Sequence, residues 1–228
     1  MISAKAFLRF TRPVALMTAA ALMASCAPEG GDGGKTDVKV TPYVEDVVMG
    51  DPAAKITIVE YASLTCSHCR DFWKQVMPGL RSAYIDTGKV KYVMRDFPTP
   101  PAEVAAAATA IARCKGAEGY YDVVEDVYSN YHELMQAAQG PQGAGPVLVA
   151  IGGRHGLSPD EVRACANSPE TKAFIEKTVL DAQDKVRATP TIFIDDVLIE
   201  DHSIEGLSAA IEARLNPSGA APQSPAAP

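Results

Sequence analysis

The sequence predicts an α/β fold in which a small sheet is interrupted by a long, all-helical insertion. Three stretches predict it. Ile56, Thr57, Ile58 and Val59 have the residue types of a buried strand, and the pattern after them has helical spacing, so Ile56–Cys69 reads as strand, turn and helix. Lys89–Phe97 is a second strand with Val90, Tyr92 and Met94 on one face, and strand, crossover helix and strand make a right-handed parallel unit. Between Pro98 and Arg187 no strand pattern appears, and two short strands return only at Pro190–Asp195 and Val197–Glu200, around a turn at Asp195-Asp196.

Taken in order, residues 1–26 have the form of an export signal: Lys5, Arg9 and Arg12 without an acid, the apolar run Val14–Met23, then Ala24-Ser25-Cys26. The run is too short to span a bilayer. Two cleavage readings compete. In one, a bacterial lipoprotein signal makes Cys26 the lipidated first residue; Ala24 and Ser25 fit that pattern, with Met23 where leucine is usual. In the other, an ordinary signal is cut after Ala21 or Ala24, because a cut after Ala27 leaves Pro28 next. Both take the chain out of the cytoplasm, and a diacylated cysteine satisfies the two-signal requirement for stable anchoring.

Residues 27–41, rich in Gly, Asp and Lys without periodicity, read as a flexible tether. Residues 42–98 and 187–215 then make the sheet-bearing domain and 99–186 the helical insertion. Val44–Pro52 offers a short edge strand. After the cysteines, Cys69, Phe72, Val76, Leu80 and Tyr84 recur at helical spacing, with a kink expected at Pro78 and a stop at Thr87-Gly88. The insertion reads as helices over Ala102–Lys115, Gly119–Met135, Pro146–His155, Ser158–Ala166 and Pro169–Val186. Ser158 with Glu161 forms a capping box, and Pro159 suits the first helical position. Ile204, Leu207, Ile211 and Leu215 stripe a closing helix capped by Ser203, and residues 216–228 read as a disordered tail.

The formal net charge of −7, about −10 without residues 1–26, and the absence of a basic cluster exclude nucleic acid as a natural partner. With Cys26 set aside, the four cysteines Cys66, Cys69, Cys114 and Cys165 are an even number in an oxidising compartment. Cys114 and Cys165 each fall on the apolar side of a helix, three residues after Ile111 and Val162, and read as a structural disulfide; two separate buried thiols are the alternative.

Cys66-Ser67-His68-Cys69 carries the chemistry. If Thr65 caps the helix, Cys66 falls in its first turn, where unpaired N–H groups and the helix dipole favour a thiolate, the form that attacks and leaves in disulfide exchange. His68 can add a second partner to that thiolate. Glu60, an acid in an apolar strand, has a raised pKa if buried and can relay a proton for Cys69; a solvated edge position is the alternative. A zinc site normally needs four ligands, and Cys114 and Cys165 lack the spacing of a second pair; a merely structural disulfide is the remaining reading of Cys66-Cys69. Phe72 and Trp73 are either core or the rim of a groove for unfolded chains. His132, His155 and His202 are scattered and read as ordinary.

The C-S-H-C at Cys66–Cys69, Glu60 six residues before it, R-D-F-P at Arg95–Pro98 and A-T-P-T at Ala188–Thr191 together resemble the DsbA-like thiol-disulfide oxidoreductases of the thioredoxin superfamily, over Val48–Leu215. The resemblance implies a thioredoxin-like fold whose insertion is the helical domain of that family. It also implies that Thr189 and a cis-Pro190 pack against the active pair and offer backbone to an extended substrate; a plain strand start is the alternative. Ser67-His68 stands where the best-known members have Pro-His, which bears on the redox potential. The implied activity is disulfide formation in reduced or unfolded exported proteins in the bacterial periplasm. Its implied setting is a monomer, without organic cofactor or metal, reoxidised by a quinone-linked membrane protein. An isomerase or reductase of the same fold is the nearer rival, and the short 27–41 stretch, with no room for a dimerisation domain, favours the oxidase. A non-catalytic peptide- or metal-binding envelope lipoprotein is the rival from another class.

Overall fold

The computed structural model describes residues 38–217. The export signal, Cys26, most of the tether and most of the tail lie outside them. Five strands, β1 (Val48–Met49), β2 (Ile56–Ala62), β3 (Val90–Asp96), β4 (Thr191–Ile194) and β5 (Val197–Ile199), form one sheet in the order β1-β3-β2-β4-β5. β2 runs parallel to β3 and antiparallel to β4, while β1 and β5 pair antiparallel at the edges. The β-branched run at 56–59 therefore lies in the central strand, where such residues pack on both sides. The β4–β5 turn holds Asp195 and Asp196 at φ 49° and 66°, the left-handed pair a two-residue hairpin needs.

Alternation along the strands sorts the sheet into two faces. Ile56, Ile58, Glu60 and Ala62 of β2 stand in register with Val90, Tyr92, Met94 and Asp96 of β3, and this face carries the main core. On the other face Tyr61 packs with Val59, Phe97, Phe193, Ala182 and Val186.

The long helix expected after the cysteines is in three parts: α1 (Ser67–Gln75), α2 (Met77–Leu80) and a π-helical segment Arg81–Ile85. Pro78 sits in the first turn of α2, where its missing N–H needs no partner. The insertion contains α3 (Ala102–Cys114), α4 (Gly116–Ser129), α5 (Tyr131–Gln139), α6 (Gly145–Arg154), α7 (Pro159–Ala166) and α8 (Pro169–Ala182). The single helix expected over Gly119–Met135 is interrupted at Asn130, whose side-chain amide donates to the Asp126 carbonyl at 2.8 Å and competes with the helical ladder. The Ser158–Glu161 capping box is formed on α7. A Cβ on Gly152 would stand 2.3 Å from Val162 Cγ2, so glycine lets α6 meet α7 at close range. Cys114 and Cys165, the first at the end of α3 and the second in α7, are bonded to each other. The closing helix α9 (Ile204–Leu215) is capped by the Ser203 hydroxyl.

Candidate active site

β2 leads through Ser63, Leu64 and Thr65 directly into α1, so the end of the central strand delivers Cys66 to the helix start. Cys66, not Thr65, is the N-cap: its backbone is extended, and its Sγ accepts from the Cys69 N–H at 3.4 Å. Thr65 is taken elsewhere, its hydroxyl donating to the Thr99 carbonyl at 2.9 Å and pairing with the Ser63 hydroxyl at 3.1 Å. A sulfur thus stands where a capping oxygen normally does, in the place that most rewards negative charge.

The two thiols occupy opposite environments. Hydrogen bonds from the Cys69 thiol, the Thr189 hydroxyl and the backbone N–H groups of Cys69 and His68 outweigh the burial of half-buried Cys66 and hold its thiol down at about 5. Cys69 is buried, and desolvation drives its thiol far above the usual cysteine range. Both are free thiols. The thiol of Cys66 also lies 3.2 Å from the Thr189 carbonyl, and the Thr189-Pro190 peptide bond is cis. The Thr189 hydroxyl is buried with no other partner among the described residues, and it lowers the Cys66 pKa.

Behind the thiols, Glu60 is 1% exposed on the central strand rather than solvated at an edge. Tyr92 donates a hydrogen bond to its Oε2. Burial raises the carboxyl to about 8, opposed by the Tyr92 hydrogen bond and reinforced by the charge of Cys66. The phenol itself, wholly buried, is held well above its ordinary value and stays protonated.

His68 is exposed, and the contribution to the Cys66 thiolate comes from its backbone N–H rather than its imidazole. Ser67 opens α1 and lies against Tyr131, whose hydroxyl donates to the Thr65 carbonyl at 3.2 Å. His68, Asp71, Phe72, Gln75, Val76, Thr189, Pro190 and His202 line an open groove of about 330 Å³ beside Cys66. Phe72 is therefore both core and groove wall. Trp73 is core, stacked on Tyr121 with centroids 5.9 Å apart, its indole N–H donating to Glu125.

Sequence reasoning missed Tyr92 as anything but a strand face, and His202 as part of the groove. The first had a signal, since Tyr92 and Glu60 fall on one sheet face once β2 and β3 are in register; the second had none, because the loop before α9 brings it there. His132 lies 2.9 Å from the Arg70 guanidinium and His155 3.1 Å from Asp126.

The thioredoxin family profile matches residues 43–213. A Rickettsia typhi protein named, provisionally, as a protein-disulfide oxidoreductase is 33% identical over 185 residues, covering 78% of this chain and 65% of its own length, so the chain spans about two thirds of that relative. The crystal structure of alpha-DsbA1 from Wolbachia pipientis superposes with a TM-score of 0.66 at 26% identity, covering 75% of this chain and 91% of that one. Oxidised BdbD from Bacillus subtilis has the same fold, with a TM-score of 0.63 at 20% identity over 78% of this chain and 98% of that one. With the extended run into a half-buried capping cysteine, the buried second thiol and the cis Thr189-Pro190 bond opposite, these likenesses place the chain in the thioredoxin superfamily, to whose DsbA-like members it belongs.

Proposed function

We propose that the chain is a thiol-disulfide oxidoreductase that introduces disulfide bonds into exported proteins through Cys66 and Cys69. The carrying observation is the unequal pair: one thiol accessible and stabilised as a thiolate, its neighbour three residues on buried and held neutral. The names of the Rickettsia relative and of the Wolbachia structure point the same way.

In the oxidised protein a substrate thiolate attacks Cys66 Sγ, the Cys66–Cys69 bond breaks, and Cys69 leaves as a thiolate. That buried anion takes a proton, and the Glu60 carboxylic acid behind it is the group positioned to give it. A second substrate thiolate attacks the substrate sulfur of the mixed disulfide, forming the substrate disulfide and releasing Cys66 as the thiolate its cap stabilises. Two electrons pass from two substrate thiols to the Cys66–Cys69 pair. The Thr189 carbonyl and the groove beside Cys66 hold an extended substrate segment against the reacting sulfur, main chain to main chain. Ser67 and His68 supply the first N–H groups of α1. Cys114–Cys165 holds α3 to α7 and takes no part in exchange.

The setting we propose is the bacterial periplasm, with the monomer anchored through a lipidated Cys26 and reoxidised by a quinone-linked membrane protein. The export-type residues 1–26 support it.

The test is the reduction potential of the pair, set by equilibration in glutathione buffers and followed by Trp73 fluorescence with thiol trapping. A stabilised Cys66 thiolate favours the reduced form, so the value should lie toward the ≈ −120 mV of strongly oxidising DsbA. A value toward the ≈ −270 mV of thioredoxin would overturn the oxidase assignment in favour of a reductase.

A further inference from the structure

Among the described residues, Glu60 is the one buried acid beside the thiols, and the groups that face it are few. From β3 comes Tyr92, from the N-cap and first turn of α1 Cys66 and Cys69, and from α4 Tyr121 and Tyr128. None is a cation. Only Tyr92 gives it a hydrogen bond among the described residues. Tyr121 and Tyr128 spend their hydroxyls on the Val47 and Ser63 carbonyls, at 2.7 Å and 3.2 Å.

We infer that Tyr92 is a positioning residue for the proton step of thiol exchange, its hydroxyl fixing the Glu60 carboxyl and stabilising the carboxylate left after Glu60 has given its proton to Cys69. The inference rests on the function proposed above. Its geometry follows from register: Ile58 pairs with Tyr92 and Glu60 with Met94 across parallel strands, so Tyr92 and Glu60 stand diagonally on one face. The ring is held in place by Trp73 and Tyr121, with centroids 6.4 Å and 6.0 Å away. A neutral donor suits a proton relay better than a lysine or arginine. It bonds the carboxyl in either state, and no buried cation is left unpaired when Glu60 is protonated.

In the forming direction the balance is closed. Cys69–SH gives its proton to the Glu60 carboxylate, the Cys69 thiolate attacks Cys66 of a mixed disulfide, the Cys66–Cys69 bond forms, and the partner leaves as a thiolate that takes up a proton from solvent.

The experiment follows the full chain, reduced, reacting with oxidised glutathione in stopped flow. The phase independent of glutathione concentration is the attack of Cys69 on the Cys66–glutathione mixed disulfide. In the wild type its rate should rise with pH through an inflection, and Glu60→Gln should abolish that inflection. Tyr92→Phe keeps the ring and loses only the donor, and the hydrogen bond to a charged group should move the inflection upward by about one pH unit, slowing the phase at pH 7 by up to about tenfold. Tyr121→Phe, which leaves the carboxyl bonded, should leave the inflection in place. An unmoved inflection in Tyr92→Phe, or an equal shift in Tyr121→Phe, overturns the role of Tyr92 while leaving the exchange function standing. Absence of any glutathione exchange at Cys66 overturns both. Should Tyr92→Phe fail to fold, the wild type decides by NMR of ring-labelled tyrosine: the Tyr92 ζ carbon must titrate with Glu60 and cease to do so in Glu60→Gln, and a flat response overturns the role.

Discussion

Two carboxylates are buried on the same face of neighbouring strands, and they are treated in opposite ways. Asp96, at the end of β3, is 1% exposed and fully paired: Arg113 binds it through two nitrogens at 2.9 Å and 2.6 Å, and Thr109 and Tyr120 donate at 3.0 Å and 2.9 Å. Glu60, on β2, is equally buried and has one neutral phenol. The first arrangement surrounds a carboxylate with a cation and two neutral donors, and the group is architecture. The second leaves the charge under-compensated, so its proton can move at ordinary pH. Distance from water does not separate the two roles, but the count and charge of donors does.

The contrast is broken most forcefully at Arg113. Arg113→Ala strands Asp96 as an uncompensated buried charge and should lower unfolding free energy by roughly 3–5 kcal/mol in urea titration. A wild-type urea midpoint would mean that Asp96 does not depend on its cation. The disulfide next to Arg113 in sequence is a smaller lever on the same region. Replacing Cys114 and Cys165 together by alanine should cost about 2–4 kcal/mol while leaving the Cys66–Cys69 potential unchanged. A shift in that potential would tie the insertion to the chemistry.

Glu60→Gln should act with the opposite sign. The folded carboxyl titrates at about 8 against 4.5 ordinarily, so the unfolded chain releases this proton first and stability falls as pH rises from about 4.5 to 8. Glutamine removes that fall: the variant should match the wild type near pH 4 and exceed it at pH 7 by roughly 3 kcal/mol, measured on the reduced protein. A variant less stable than wild type at pH 7 would show that Glu60 is paired as Asp96 is. Thr189→Val is the finest probe. It removes a buried donor that lowers the Cys66 pKa, and the Cys66 titration seen in ultraviolet thiolate absorbance should rise from about 5 by about one pH unit. No movement would assign the thiolate wholly to the helix cap and Cys69.

The sheet and the C-x-x-C junction were legible in the sequence because both are local. Ile56–Val59 is β-branched, the helical stripe begins at Cys69, and a C-x-x-C at that junction has few uses. The capping box at Ser158 and the Asp195-Asp196 hairpin were legible for the same reason. What was hidden depends on contacts far along the chain. Thr65 and Cys66 are both competent caps, and Thr99, arriving from beyond β3, together with the nearby Ser63 hydroxyl draws Thr65 away. Glu60 was visible as an anomaly, but its phenol comes from a strand 32 residues on. The break at Asn130 turns on one amide that periodicity does not weigh.

The Arg113 clasp has a mechanical meaning as well. Its guanidinium donates to the Tyr43 and Glu45 carbonyls at 2.9 Å and 3.0 Å, and its own carbonyl accepts the Tyr43 N–H at 2.9 Å. A pull on the N-terminal end of the described chain therefore meets α3 before it reaches the sheet. Tension from that side is carried through Arg113 into α3, which the Cys114–Cys165 bond ties to α7, and into Asp96 at the end of β3.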